Sequence, residues 1–258
     1  GTEAQALNDA HYEKLGNMDI SRYFRGRLIP GCEFSVVHNK MPIEVLGYQI
    51  DFEAIRASGL VSEERFLDRE NSYIEKMKEI CRNKGIRLTD SLSIKSGKAF
   101  ATQVIHADLK QYPENEKHFS KEVWTSVNAF YRTCINNEES PFFLNQTKDY
   151  PTVEEICSLI KTAGGKSFLA HLYGYFTKNH TEFLDSLIAL KALDGIECYH
   201  SQHDIQKTKY LLEYCSEHGL LSSGGSDYHG ALKPTVFIGE SVRGLKIPFK
   251  ILEPWLED

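Results

Sequence analysis

The sequence predicts an α/β fold, and three observations carry that expectation. After Pro151, short apolar runs alternate with amphipathic helical patterns, the order that parallel strands with crossover helices require. Between residues 55 and 148 the rhythm is helical with little strand signal, which reads as a helical insertion. Near the end, the apolar run Gly219-Leu220-Leu221-Ser222-Ser223 leads into Gly224-Gly225-Ser226-Asp227-Tyr228-His229-Gly230, a buried strand opening into a glycine-rich turn. Residues two apart on an extended segment point the same way, so Asp227 and His229 share a face at a strand's carboxyl end, where α/β folds place their chemistry.

The elements follow in order. Leu28 to Val37 is a strand candidate broken in its middle by Pro30 and Gly31, as at a bulge. The polar turn His38-Asn39-Lys40 joins it to a second strand, Ile43 to Ile50, and the pair reads as a hairpin. Ser62 caps a helix running to Lys84, with Phe66, Ile74, Met77 and Ile80 on its apolar side and Gly85 as its stop. Helical character returns over Phe100 to Leu109 and Glu122 to Ile135. Thr152-Val153-Glu154-Glu155 opens a capped helix that Gly164-Gly165 ends. A strand from Ser167 to Ala170, a helix over Glu182 to Lys191, a strand from Gly195 to Tyr199, a helix from Ile205 to His218 and a strand from Leu220 to Ser223 complete the alternation.

Composition excludes several function classes. The 258 residues are 41% hydrophobic and 26% charged, ordinary for a globular protein, with a formal net charge of −6. No basic tract of duplex-binding type is present, so broad nucleic-acid binding is not expected. Six widely spaced cysteines form no C-x-x-C pair and read as reduced, mostly buried thiols of a cytoplasmic protein. No apolar run is long enough to suggest a membrane span.

Successive strands end in residues of metal-ligand type: Glu33, then His171, then His200 and His203, then Asp227 and His229. Any one of these has an ordinary reading as a cap, a surface charge or a packed imidazole. Carboxylates and imidazoles together suit Mn, Fe or Zn. Parallel strands bring such ends to one side of a sheet or barrel.

At these residues the chain resembles the PHP family, the polymerase and histidinol phosphatase superfamily of metal-dependent phosphoesterases. The matching runs are Ile29-Pro30-Gly31-Cys32-Glu33-Phe34-Ser35, Val45-Leu46-Gly47-Tyr48, Ala163-Gly164-Gly165-Lys166-Ser167-Phe168-Leu169-Ala170-His171, Gly195-Ile196-Glu197-Cys198-Tyr199-His200-Ser201-Gln202-His203 and the Gly224 to Gly230 run, in the family's order. The resemblance implies a distorted (β/α)7-type barrel over residues 1–54 and 149–258, with residues 55–148 as an inserted helical subdomain. That insertion resembles those of members acting on nucleoside bisphosphates or RNA ends, and His106 and Asn128-Ala129-Phe130 look like pieces of its pattern.

By the same resemblance, Glu33 is a bridging carboxylate between metals in a site of two or three divalent ions, with His171, Asp227 and His229 as further ligands. His203 faces the metals or the phosphate, and His203 or His229 protonates the leaving oxygen. His106, His200 and Glu44 are candidates for substrate contact, with His200 open to a plain packing role. The implied reaction is hydrolysis of a phosphate ester of a nucleotide or nucleic-acid end by metal-activated water. The alternative is an impaired PHP module that binds a nucleotide or a partner protein without turnover.

Three departures bear on the choice. The family opens with strands ending in H-x-H and T-D-H, and the nearest echo is Leu7-Asn8-Asp9-Ala10-His11. Glu44 stands where relatives have a metal-site histidine, either as a hard oxygen ligand or as a surface charge, and Val104 stands where an arginine is common. Losing two strands would expose the edge of a closed barrel, so the chain is expected to be an incomplete record of its gene product, with a naturally shortened homologue as the rival.

Overall fold

The alternation of side chains along residues 31–48 sets the first layer. In the computed structural model, which describes residues 14–15, 18–19, 29–60, 62–97, 99–145, 147–229, 233, 235–241 and 246–256, strands β1 (Lys14–Leu15) and β2 (Met18–Asp19) form a two-residue antiparallel ladder. Strands β3 (Gly31–His38) and β4 (Met41–Tyr48) form an antiparallel hairpin. Its turn residues Asn39 and Lys40 both have positive φ, 48° and 65°, the twist that two-residue hairpin loops favour. The ladder begins at Gly31, so Pro30 lies outside the pairing, and its carbonyl accepts from Gln49 N at 2.7 Å.

Phe34, Val36, Ile43 and Val45 point to one side and are buried. The helix Val153–Thr162 covers that side with Val153, Ile156, Leu159 and Ile160. Each such side chain contributes roughly 1.5–3 kcal/mol by leaving water. A reciprocal capping box starts this helix: Thr152 N donates to Glu155 Oε2 at 2.7 Å, and Glu155 N donates to Thr152 Oγ1 at 3.2 Å.

Three further strands, β5 (Lys166–Leu169), β6 (Gly195–Tyr199) and β7 (Leu221–Gly224), extend the sheet in the order β3-β4-β5-β6-β7. The β5–β6 and β6–β7 pairs are parallel, as the alternation requires, while β5 runs antiparallel to β4. The described strands therefore make a mixed row of five. Helices His180–Ile188 and Ile205–His218 carry the crossovers. Asn179 and Asp204 cap their starts, and Gly219, at φ 65°, ends the second. Gly195 is required by close approach: a Cβ there would lie 2.4 Å from the Leu221 carbonyl oxygen.

The chain divides into two compact units, residues 1–58 with 150–258, and residues 59–149. The second unit has its own core of Tyr73, Ile74, Met77, Ile105, Leu109, Phe130 and Ile135 among others. Its buried polar groups are paired internally. Lys78 Nζ donates to the Asp90 and Leu92 carbonyls at 2.6 and 2.9 Å, and Asp108 accepts from Thr89 N and Oγ1, both at 2.8 Å. The expected helix over Glu122 to Ile135 is broken at Ser126, whose extended backbone caps a fresh turn by accepting from Ala129 N at 3.2 Å. A wider π-type turn, Tyr131–Ile135, follows.

Candidate metal centre

The open side of the hairpin carries the first acidic groups. Register places Glu33 opposite Leu46 and Ser35 opposite Glu44, so the two glutamates are diagonal neighbours on the side away from Phe34 and Val45. Tyr175 holds this arrangement from beneath. Its hydroxyl accepts from Glu44 N at 3.0 Å and donates to the Ala170 carbonyl at 3.0 Å.

His171 lies two residues past the end of β5, after Ala170. Its backbone sits at φ 21°, a sparsely allowed conformation for a residue with a side chain. Its N–H donates to Glu197 Oε2 at 2.9 Å, which fixes the turn. The imidazole Nε2 then lies 2.8 Å from Glu44 Oε2 and 3.3 Å from Glu33 Oε1. Burial opposes a charge on this ring, but hydrogen bonds and attraction from the two glutamates together outweigh it and lift the His171 pKa to about 10. The donor atoms of Glu33, Glu44 and His171 lie within 4.8 Å of one another.

Beyond His171 stand two buried imidazoles. Ring centroids of His171 and His200 are 5.4 Å apart, and those of His200 and His203 are 5.2 Å apart. His203 Nδ1 bonds the Cys198 carbonyl at 3.1 Å and must be the protonated nitrogen there, which leaves Nε2 with a lone pair. Burial holds its pKa down to about 3, so the ring stays neutral. His200 is committed the opposite way. Its Nδ1 accepts from Gln202 N at 3.1 Å, so in the neutral ring Nε2 carries the proton. Both Nε2 atoms are buried and hydrogen-bond to no group among the described residues. Tyr173 packs edge-on against His203 at 5.2 Å and carries Lys207 Nζ over its face at 4.8 Å.

Asp227 completes the arc on the far side. It too has left-handed backbone, φ 54°. Its Oδ2 lies 3.8 Å from His200 Nε2, too long for a hydrogen bond, and is ion-paired with Lys233. Its Oδ1 is 3.0 Å from His229 Nδ1. Burial raises the cost of the carboxylate charge, but His200, Lys233 and His229 overcome it and hold the pKa at about 2. Asp227 and His229 do associate, although through a turn in which His229 remains largely exposed.

The residues expected from sequence thus fall into two groups. Glu33, Glu44 and His171 form one cluster, and Asp227 and His229 form another, with the His200/His203 pair between His171 and Asp227. His106 has a different setting: it is buried in the helical unit, its Nε2 bonded to the Val123 carbonyl at 3.0 Å and its ring 5.3 Å from Phe130. Those contacts give it a packing role within that unit. Leu7-Asn8-Asp9-Ala10-His11 lies outside the described residues.

Glu197, Tyr175 and Lys233 were not singled out by sequence. Glu197 is buried on β6, and burial raises its pKa. A Cβ at Gly225 would lie 2.6 Å from its Oε1, so that glycine makes room for the carboxylate. The signal available was a lone acid inside the apolar run Ile196-Glu197-Cys198. A cavity of about 320 Å³ adjoins Glu33, walled by Ile29, Pro30, Gly31, Cys32, Leu46 and Tyr48.

The donor set fits a divalent cation. Two carboxylates and one imidazole converge at the first cluster, and a buried imidazole lone pair is left without a partner at His203 Nε2. His203 also shows the supporting bond from Nδ1 to a backbone carbonyl that metal-ligating histidines commonly make.

No protein-family model matches the chain, and no curated protein sequence matches it. Among the solved structures that share its fold are these two. One is a protein from Bifidobacterium adolescentis provisionally assigned as a metal-dependent phosphoesterase, with TM-score 0.60 and 22% identity, covering 88% of this chain and 75% of that one. The other is an amidohydrolase from Chromobacterium violaceum with bound sulfate and no metal, with TM-score 0.60 and 17% identity, covering 88% of this chain and 76% of that one. At these identities the likeness is one of fold.

Proposed function

We propose that the chain is a metal-dependent hydrolase of the PHP type that cleaves a phosphate ester, with a nucleotide or a nucleic-acid end as substrate. The observation that carries this reading is the meeting of Glu33 and Glu44, from two paired strands, with His171, from the turn after a third, beside two buried imidazoles whose Nε2 atoms bond to no group among the described residues. Two or three divalent ions, of Mn, Fe or Zn type, are the proposed cofactors. Glu33, Glu44 and His171 would hold one, and His203, Asp227 and His229 offer donors for others. A cation there would supply Lewis acidity toward a phosphate oxygen and toward water. A distorted barrel of the PHP type is the proposed architecture of residues 1–58 with 150–258.

The protein's own groups divide the remaining work. Tyr175 and Glu197 fix the Glu44 backbone and the His171 turn. His229, exposed and near Asp227, is the group placed to give a proton to a departing oxygen. The apolar walls beside Glu33 suit a flat or apolar part of a ligand. The nucleotide assignment rests on the resemblance of residues 55–148 to insertions in nucleotide-directed relatives.

The test is metal analysis of purified protein together with phosphate release from a 3′,5′-bisphosphonucleoside and from short RNA. Bound divalent metal with release supports the reading. A second reading, a metal-poor binding module, is favoured by one contact: Lys233 already neutralises Asp227. Absence of metal and of release, with nucleotide binding retained, would select it.

A further inference from the structure

We propose that His200 is a hydrogen-bond donor to an anionic oxygen of the bound substrate, and not a metal ligand. This rests on the phosphoesterase reading above and assigns a role within that site. The Gln202 N–H donates to His200 Nδ1 at 3.1 Å. A ring nitrogen that accepts carries no proton, so the neutral imidazole must bear it on Nε2. Coordination of a cation by Nε2 would require that proton to leave and the ring to become an anion, or the Gln202 bond to break. His203, three residues on, is the mirror case, with Nδ1 committed as donor and Nε2 left as a lone pair.

The His200 ring is 1% exposed, and its Nε2 hydrogen-bonds to no group among the described residues. A buried N–H without an acceptor is destabilising, a penalty that an occupant of the site can remove. The nearest acid, Asp227 Oδ2, is 3.8 Å away and is taken by Lys233. Ser241 Oγ donates to the His200 carbonyl at 2.8 Å, and His171 and His203 flank the ring, so its direction is fixed. A rigid N–H between the His171 cluster and the Asp227 cluster is suited to an oxygen that carries negative charge, as a phosphate oxygen does.

The experiment uses Mn²⁺-loaded protein and inorganic phosphate. Calorimetry should give a phosphate Kd about tenfold or more weaker in His200→Leu, the worth of one charge-assisted hydrogen bond, with bound Mn²⁺ unchanged. His200→Gln, whose amide nitrogen can reach the Nε2 position, should restore affinity to within about threefold of the starting protein. Nitrogen NMR of the wild-type ring, in protein loaded with diamagnetic Zn²⁺ in place of Mn²⁺, should show the proton on Nε2 and a shift of that signal on adding phosphate. Loss of Mn²⁺ in His200→Leu, or a proton on Nδ1, would overturn the assignment. An unchanged phosphate Kd in His200→Leu, with a wild type that still hydrolyses esters, would overturn this inference alone. Failure of the loaded wild type to bind phosphate or cleave any phosphate ester would overturn it together with the proposed function.

Discussion

His171 and Asp227 sit in opposite electrostatic settings within one unit. Around His171, one imidazole nitrogen is shared by two carboxylates, Glu33 and Glu44. Around Asp227, one carboxylate faces Lys233, His229 and His200. The first cluster has excess negative charge and lifts the pKa of its imidazole to about 10; the second has excess nitrogen and holds its carboxyl at about 2. The difference teaches that the two ends have unequal appetites for a cation. The Glu33–Glu44–His171 end should take a divalent ion first, while Asp227 must give up Lys233 to join.

The largest expected effect tests whether both ends belong to one site. Glu33→Gln and Asp227→Ala should each lower phosphate-ester turnover by at least about a thousandfold, because charge stabilisation of the transferring phosphoryl group is lost. Circular dichroism melts should show each variant folded. Full activity in Asp227→Ala would break the comparison, leaving Asp227 as a turn residue only. Next in size, Glu44→Gln should weaken Mn²⁺ affinity by about 10- to 100-fold while Lys233→Met leaves it equal or tighter. Equal losses in both variants, read by calorimetry, would erase the asymmetry.

The first cluster also makes a pH prediction for chelator-treated protein. The folded pKa of His171 is raised above the ordinary value of 6.5 to about 10, so its contribution to stability is full below about 6.5 and is lost as pH rises toward 10. His203 runs the other way. Its folded pKa of about 3 means that stability is full above about 6.5 and declines as pH falls from there toward 3. Imidazole NMR titration should find His171 charged and His203 neutral at pH 7; a neutral His171 would contradict the cluster. The smallest effect concerns Lys233. Its side chain is 39% exposed, so Lys233→Met should cost less than about 1 kcal/mol of stability by denaturant melts.

Much of this architecture was legible because local signals agreed. Asp204 and Gly219 bracket the helix Ile205–His218, and Thr152 with Glu155 marks the start of another. The Gly224 to Gly230 run announced its turn through glycines around Asp227 and His229. Less visible was whatever depends on pairing across the chain. Glu44 meets His171 because β4 runs antiparallel to β5, and no periodicity reports which strands become neighbours. Glu197 was hidden because an acid in an apolar strand has no local signature until its partner, the His171 N–H, is in place. His106 shows the converse: its position matched a family pattern, while its ring nitrogen is occupied by the Val123 carbonyl. The tautomers of His200 and His203 are set by single backbone groups, Gln202 N–H and Cys198 C=O, which sequence alone cannot orient.

The central claim is that Glu33, Glu44 and His171 hold a divalent cation, and anomalous diffraction from Mn²⁺-soaked crystals at the manganese edge tests it most directly. The account predicts a strong peak within about 2.0–2.3 Å of all three side chains. Peaks elsewhere, with these three side chains bonded only to one another, would contradict it.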